Sequence, residues 1–266
     1  MQPPPDGTVE HWAYRYVTGR DLAHKLQPPD PPQRWADDGR ALRIEAPGRP
    51  PELTVESKGR RTPGPGALRR PDARAQLLHT FLHHELQAAE LMCRAVLAYP
   101  DTPLAFRRGL IGICLDELRH MRMYAEHLET LGCRFGDHPV NDWFWTRLPP
   151  HITPTQFVAV MGLGFEGANL DHTRRFAERF REAGDVAGAE LQLRVGEEEI
   201  PHVRFGAHWF AEFTGHPLSF ERWRDALPPP LSPMLMRGKP LNREARLRAS
   251  YPPAFVDALT AWKPEP

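Results

Sequence analysis

The chain has 266 residues, and its 34 lysines and arginines equal its 34 aspartates and glutamates, so the formal net charge is zero. That length allows one large domain or two small ones, and the balanced charge gives no overall field favouring nucleic acid or an anionic membrane. No apolar run approaches the roughly 18 residues needed to span a bilayer, and the first residues lack a basic-then-apolar signal. Three cysteines without a CxxC spacing indicate a reducing environment. We therefore expect a cytoplasmic protein that is not bound to a membrane.

The first 72 residues are rich in proline, with 13 of the 30 prolines of the chain. The stretches "QPPDPPQ", "APGRPPE" and "RTPGPG" exclude a long helix or a central strand. Short strands are expected in "ALRIEA" (41–46) and "LTVES" (53–57). The aromatic residues of "HWAYRYV" are typical of a folded segment, so we predict an extended arm packed on a core.

Four long helical patterns follow, each with recognisable end signals. They are helix A, about 73–99, with an N-cap at Asp72; helix B, about 103–131, with an N-cap at Thr102; helix C, about 154–183, starting at Thr153-Pro154; and helix D, about 186–214, between Asp185 and Gly215.

The connections between these helices are short, long and short. Only a few residues join A to B and C to D, whereas about twenty separate B from C, which is typical of a four-helix bundle with one long crossover. Short helices are expected in "SFERWRDAL" and "PAFVDALTAW" near the end. We therefore predict an all-α protein with an arm (1–72), a bundle (73–215) and a C-terminal extension (216–266).

An acidic residue interrupts the apolar stripe of each predicted helix near its middle. In helices B and D a histidine follows three residues later on the same face. The residues concerned are Glu85 in A, Glu117 and His120 in B, Glu166 in C, and Glu199 and His202 in D. Uncompensated carboxylates in one core would be strongly destabilising, and no lysine or arginine lies on these stripes. Two divalent cations would balance four carboxylates, and oxygen and imidazole ligands suit iron or manganese.

The spacing of these residues repeats along the chain. Composition predicts roughly one E-x-x-H by chance, and the sequence has two. Glu85 precedes Glu117 by 32 residues, and Glu166 precedes Glu199 by 33. Each helix pair thus carries one lone glutamate and one E-x-x-H at nearly equal separation, which favours a dinuclear metal site over a metal-free structural role.

The stretches "HHELQAAEL", "DELRHMRMY", "FEGANLD" and "EEEIPHV" resemble the four helices of ferritin-like di-iron carboxylate proteins, and most closely a bacterial branch described only as a domain of unknown function. The resemblance covers most of the chain, including "GKPLNREARL". It implies a ferritin-like bundle and two bound iron ions, with manganese or a mixed Mn/Fe pair as alternatives. The ligands that it implies are Glu85, Glu117, His120, Glu166, Glu199 and His202. Where the branch usually has glycine, this chain has Pro201. Two alternatives are expected there: a kink or wide turn with a functional role, or a tolerated kink without functional consequence.

Three further residues are candidates for a role beside the metals. Asp116 and Glu198 each lie four residues before a ligand histidine, and the resemblance implies that they hold its second ring nitrogen; the alternative is a solvated helix face. Tyr124, one turn after His120, is either a phenol near the metals or a core residue.

The surroundings of Glu85 and Glu166 leave two questions open. His83 and His84 are expected to face outward or sideways, and Glu90 is a weaker ligand candidate than Glu85. The small residues of "GLGFEGA" (162–168) provide either room for dioxygen or substrate, or close helix packing.

The resemblance implies an oxidoreductase that activates dioxygen and oxidises an organic substrate, either a small molecule or an RNA base. Hydroxylation or desaturation requires external electrons, and the sequence shows no flavin or iron–sulfur motif, so an electron-donor protein is an expected partner. The alternatives are an iron-handling protein (ferroxidase, storage or peroxide scavenging), a tRNA-modifying hydroxylase and a non-enzymatic interaction module. A homodimer is compatible with each of them.

Overall fold

A computed structural model describes residues 2–37, 39–58 and 63–264. The chain divides into two compact units, residues 1–151 and 152–266. In the described ranges helices are the only regular elements, beside a single bridge between Val55 and Val140, which confirms the all-α prediction. None of the helices in these ranges combines the length and the apolar character that a membrane crossing requires. The predicted boundaries near residues 72 and 215 stay a prediction.

The first unit is built on a helical hairpin. The described part of this unit contains α1 (Val9–Thr18), α2 (Leu22–Leu26), α3 (Pro71–Ala98), α4 (Leu104–Thr130) and α5 (Trp143–Arg147). Helices α3 and α4 are joined by five residues and pack along each other, and α1 packs on α3. The predicted arm therefore contributes a helix to the core of this unit.

Local sequence explains why the arm folds. Thr8 caps α1 by accepting the backbone N–H of His11 at 3.2 Å. Along α1, Trp12 and Tyr16 are buried and their rings stack at 5.6 Å. These are the aromatic residues of "HWAYRYV", and their burial anchors the proline-rich segment.

The second unit is built on another hairpin. Its described helices are α6 (Pro154–Val160), a π-helical turn (Met161–Phe165), α7 (Glu166–Glu182), α8 (Val186–Thr214), α9 (Phe220–Ala226), a 3-10 helix (Pro233–Met236), α10 (Arg243–Arg248) and α11 (Pro253–Ala261). Helices α7 and α8 pack along each other. As predicted, Asp185 caps α8 by accepting the N–H of Gly188, and Gly215 ends α8 in the left-handed region at φ 66°.

Two of the predicted N-caps, Asp72 and Thr102, and both predicted strands are wrong. Helix α3 begins at Pro71 with Arg70 as N-cap, because a proline in the first turn loses no intrahelical hydrogen bond. Thr102 does not cap α4, since its hydroxyl donates to the carbonyl of Tyr99. Residues 41–46 and 53–57 form no strand, although Val55 makes the one bridge, and the prolines that bracket these stretches prevent a longer ladder.

The proline inside α8 does not break the helix. Pro201 lies within one continuous helix, Val186–Thr214. Pro201 and Glu197, whose carbonyl loses its helical partner, are both exposed, so water can reach that carbonyl. A wide turn is present in this unit, but it lies at 161–165, where the predicted helix C is interrupted.

A buried ion pair connects the C-terminal segment to α7. Arg246 donates to both oxygens of Asp171, at 3.2 and 2.8 Å, and both side chains are fully buried. The backbone N–H groups of Gly238 and Asn242 donate to the same carboxylate at 2.8 and 2.7 Å. The segment "GKPLNREARL" is therefore held to α7 by one fully hydrogen-bonded carboxylate.

We expect Asp171→Asn to lower the free energy of unfolding by about 3–5 kcal/mol, because it leaves the Arg246 charge buried without its counter-ion. The control is Asp257→Asn, which breaks the exposed Arg243–Asp257 pair and should change stability by less than about 1 kcal/mol. Urea denaturation followed by circular dichroism measures both. Equal effects of the two substitutions would contradict a structural role for the buried pair.

Candidate metal centre

The hairpin of the first unit brings two carboxylates and one imidazole together. Glu85 comes from α3, and Glu117 and His120 come from α4; one ligand atom of each lies within 4.8 Å of the others. Nδ1 of His120 is 3.3 Å from Oε2 of Glu117 and 3.8 Å from Oε2 of Glu85. All three side chains are buried. The three-residue spacing places Glu117 and His120 on one face of α4.

The electrostatics of this cluster fit a cation. Burial and the neighbouring charge of Glu117 raise the pKa of Glu85 well above its usual value, although His120 acts in the opposite direction. The chain therefore does not stabilise the ionised form of Glu85. A divalent cation among these oxygens would attract the ionised form of Glu85, which the neighbouring charge of Glu117 repels. Carboxylate and imidazole donors are ligands of iron and manganese. The cluster could hold a metal ion.

Glu90 shows how the same helix treats a carboxylate that has a structural role. Its Oε1 accepts from Nζ of Lys25 at 2.7 Å and from Nη1 of Arg49 at 2.6 Å, and its Oε2 accepts from the Trp145 indole at 3.1 Å. Burial raises the pKa of Glu90, but the charges of Arg49 and Lys25 outweigh burial and hold the pKa below its usual value. Cations of the chain compensate Glu90, which distinguishes it from Glu85.

The sequence did not reveal the residues that compensate Glu90. Lys25 is fully buried in α2, and Arg49 also pairs with Asp142 at 2.8 Å. Nothing in the pattern around either residue marks a buried cation. His83, which was expected to face outward or sideways, is buried with Nε2 3.2 Å from Oδ1 of Asp142, so the outward alternative is wrong for this residue.

The second unit contains a cluster of the same composition. Glu166 is the first residue of α7, and Glu199 and His202 lie on α8; one ligand atom of each is within 4.8 Å of the others. Nδ1 of His202 is 2.9 Å from Oε2 of Glu199, and the side-chain amide of Asn169 donates to Oε1 of Glu199 at 3.0 Å. The three side chains are buried, and this cluster too could hold a metal ion.

The π-helical turn directly precedes Glu166 and is fixed by side chains of the C-terminal segment. Tyr251 donates its hydroxyl to the carbonyl of Leu163 at 2.5 Å, and the Trp223 indole donates to the carbonyl of Ala159 at 2.9 Å. Leu163 lies within the π turn and Ala159 lies just before it, and both bonds come from side chains outside this helix. The C-terminal segment thus determines the position of the backbone at Glu166.

Close packing accounts for the small residues around Glu166. A Cβ on Gly162 would lie 2.9 Å from the Cα of Gly206, so the backbones of the π turn and α8 are in contact. At Gly167 a Cβ would collide with the hydroxyl of Tyr251. At these two positions the glycines allow close approach and do not leave an open space.

The other candidates lie beside the clusters on the same helices. Asp116 pairs with Arg119 at 2.6 Å, and Glu198 pairs with Arg194 at 3.1 Å, each on a partly exposed face. Tyr124 is buried one turn after His120, with its ring 5.9 Å from that of Phe81. The proposed roles of all three stay predictions.

Comparison with known proteins places the chain in a family. The model of the family "Protein of unknown function (DUF455)" matches residues 9–257. The chain belongs to this family. A protein of Haemophilus influenzae described as an uncharacterized protein is 27% identical over 161 residues, which are 58% of this chain and 54% of the relative. The match thus spans about half the length of that relative. No solved structure matches the chain.

We expect opposite effects when Glu85 and Glu90 are each replaced by glutamine. Glu90→Gln should lower the free energy of unfolding of the metal-free protein by about 3–5 kcal/mol, because Lys25 and Arg49 lose a buried counter-ion, and should leave Fe(II) binding intact. Glu85→Gln should leave the metal-free protein as stable or more stable, because the repulsion with Glu117 is removed, and should reduce Fe(II) binding.

Urea denaturation of the metal-free variants and anaerobic equilibrium binding of Fe(II) measure these effects. Each variant is the matched control of the other, since both replace a buried glutamate of α3. If Glu85→Gln destabilises the metal-free protein as much as Glu90→Gln does, Glu85 has a structural and not a ligand role.

Proposed function

We propose that the two clusters together bind two iron ions, in a ferritin-like arrangement of the two hairpins, and that the protein is an oxidoreductase that activates dioxygen to oxidise an organic substrate. One observation carries this proposal: each unit brings two buried carboxylates and one imidazole within 4.8 Å of one another. The resemblance of the four helix motifs to di-iron carboxylate proteins supports the same conclusion.

The charges of the six ligands support two divalent ions. The clusters contain four carboxylates, Glu85, Glu117, Glu166 and Glu199, which carry four negative charges when ionised. Two divalent cations would neutralise these four charges, whereas one would neutralise only two of them. The lone glutamates precede the E-x-x-H motifs by 32 and 33 residues. These spacings support a site to which each unit contributes the same set of ligands.

The chain's own residues would hold and orient the metal ions. In both clusters Nδ1 of the histidine faces the carboxylates, so this nitrogen would bind a cation held there, and the ring proton would then be on Nε2. The amide of Asn169 fixes one oxygen of Glu199, and the hydrogen bond of Tyr251 to Leu163 fixes the turn that carries Glu166. When bound, a pair of iron ions supplies the redox chemistry with dioxygen.

We propose that a cleft of the second unit takes part in binding the substrate. It has a volume of about 180 Å³ and is lined by Leu170, Thr173, Gly196 and Asn242, among others. Leu170 lies one turn after Glu166, and Gly196 lies one turn before Glu199. The hydroxyl of Thr173 donates to the backbone carbonyl of Asn169, whose amide holds Glu199. Asn169 thus contacts both a residue of the cleft and a proposed ligand.

We expect close to two iron ions per chain after anaerobic loading, and we expect them to be magnetically coupled. Elemental analysis gives the metal content, and Mössbauer and EPR spectroscopy show whether the ions share bridging ligands. His202→Ala should remove the magnetic coupling. The control is Glu197→Gln on the same helix, α8, which should keep the coupling because Glu197 is an exposed carboxylate paired with Arg248 of α10. Two uncoupled ions would indicate a separate mononuclear site in each unit, and one bound zinc ion would contradict the proposal.

We expect oxidation of Fe(II) by dioxygen to stop near two equivalents per chain and to resume only when a reductant is added. An oxidoreductase keeps its metal ions, whereas an iron-storage protein transfers ferric product away from the site and continues. Stopped-flow absorption with parallel measurement of dioxygen uptake, at increasing Fe(II) per chain, gives the stoichiometry. Oxidation that continues linearly beyond two equivalents would identify the protein as a ferroxidase.

A further inference from the structure

Two cysteine thiols face each other inside the hairpin of the first unit. Cys93 on α3 and Cys114 on α4 are fully buried, and their sulfur atoms are 3.5 Å apart in a hydrogen bond. A disulfide requires about 2.05 Å between the sulfurs, so a side-chain movement of moderate size would join them. The third cysteine, Cys133, makes a different contact, with its thiol donating to the backbone carbonyl of Arg134.

The thiol pair lies next to the metal cluster of the same unit. Cys114 is three residues before Glu117 on α4, which corresponds to about 4.5 Å along the helix axis and to nearly the same face. A pair of electrons released at these sulfurs would therefore arise within one helical turn of a proposed metal ligand.

We propose that Cys93 and Cys114 are an internal redox dithiol that supplies two electrons and two protons to the reduction of dioxygen at the neighbouring site. This inference rests on the proposed function. It addresses the electron requirement of that function, because insertion of one oxygen atom into a substrate bond leaves the second atom to be reduced to water with two electrons and two protons.

The dithiol balances this reaction. The two S–H bonds and one substrate C–H bond are broken, one S–S bond is formed, one oxygen atom enters the C–H bond as a hydroxyl group, and the other leaves as water with the two thiol protons. Sulfur is oxidised, and dioxygen is reduced. The resulting disulfide must then be reduced by an external dithiol or electron-donor protein before the next turnover.

The surroundings of the thiol pair favour its oxidation by an oxidant formed at the neighbouring site over its oxidation by reagents in solution. The hydrogen bond to Cys93, burial, and the charges of Glu117 and Glu90 raise the pKa of Cys114 well above its usual value. Its thiol therefore stays protonated at neutral pH, and a buried protonated thiol reacts slowly with peroxide or disulfides in solution. An oxidant generated one helical turn away is not limited by this lack of access.

The first experiment asks whether the native fold accepts the disulfide, and it needs no metal. Reduced protein is unfolded and then refolded in a series of dithiothreitol redox buffers, so that the sulfurs are accessible before the core closes. Cys133→Ala is used in parallel to remove the alternative pairings. We expect a Cys93–Cys114 disulfide with native helix content, identified by differential alkylation and mass spectrometry. Failure of the oxidised chain to refold, or a different pairing, overturns the proposal and leaves the proposed function untouched.

The second experiment asks where the electrons go. Fe(II)-loaded and metal-free proteins are exposed to dioxygen for the same time, after the iron content has been measured separately. Without substrate, the two thiols and two Fe(II) ions supply the four electrons that, with two solvent protons, reduce dioxygen to two waters. We expect close to one disulfide per loaded chain, a several-fold lower yield in the metal-free chain, and free Cys133 in both.

The variants separate the possible outcomes of this experiment. Cys93→Ala and Cys114→Ala should each bind iron normally and release hydrogen peroxide in place of water, because two of the four electrons are missing. If iron binds but the thiols of the loaded chain stay reduced, the pair is a packing contact and the electron-donor role is wrong. If iron does not bind, the proposed function fails, and the refolding experiment still decides whether the pair forms a disulfide.

Discussion

The need to compensate buried carboxylates determines how this molecule is organised. Glu90 on α3 and Asp171 on α7 lie in the interior, and each is paired with a cation of the chain from a distant segment: Lys25 and Arg49 for Glu90, and Arg246 for Asp171. Breaking such a pair is far more destabilising than breaking an exposed one. The N-terminal arm and the C-terminal segment are therefore parts of the cores of their units, because they bring the counter-ions.

Glu85 of the first cluster is in a different environment. Burial and Glu117 raise the pKa of Glu85, whereas Arg49 and Lys25 hold the pKa of Glu90 down against burial, although Glu85 and Glu90 are only five positions apart on α3. The fold places cations of the chain at Glu90, whereas at Glu85 it assembles carboxylates with an imidazole in a cluster that could hold a metal ion. Perturbed carboxyl groups of this kind occur at functional sites.

Much of this organisation could be predicted from the sequence because helices and their faces have a strong periodic signal. The helix hairpins, the caps at Asp185 and Gly215, and the shared face of each E-x-x-H motif follow from local rules. The buried cations could not be predicted, since Lys25 and Arg49 lie in proline-rich stretches without periodicity and their partners are distant in sequence. The π turn was also missed: carbonyls in it and just before it accept hydrogen bonds from Tyr251 and Trp223, which no local pattern connects to residues 161–165.

Pro201 also shows the difference between local sequence rules and contacts that are distant in sequence. Locally, a proline inside a helix removes one hydrogen bond, and the sequence therefore suggested a distortion beside Glu199 and His202. In the structure the affected positions are exposed and α8 is continuous, so the hydrogen bond is lost where water can replace it. A π-helical turn lies beside Glu166, at a position held by distant hydrogen-bond donors. Thus one carboxylate of the second cluster is positioned by tertiary contacts, and its partners on α8 are positioned by regular helix geometry.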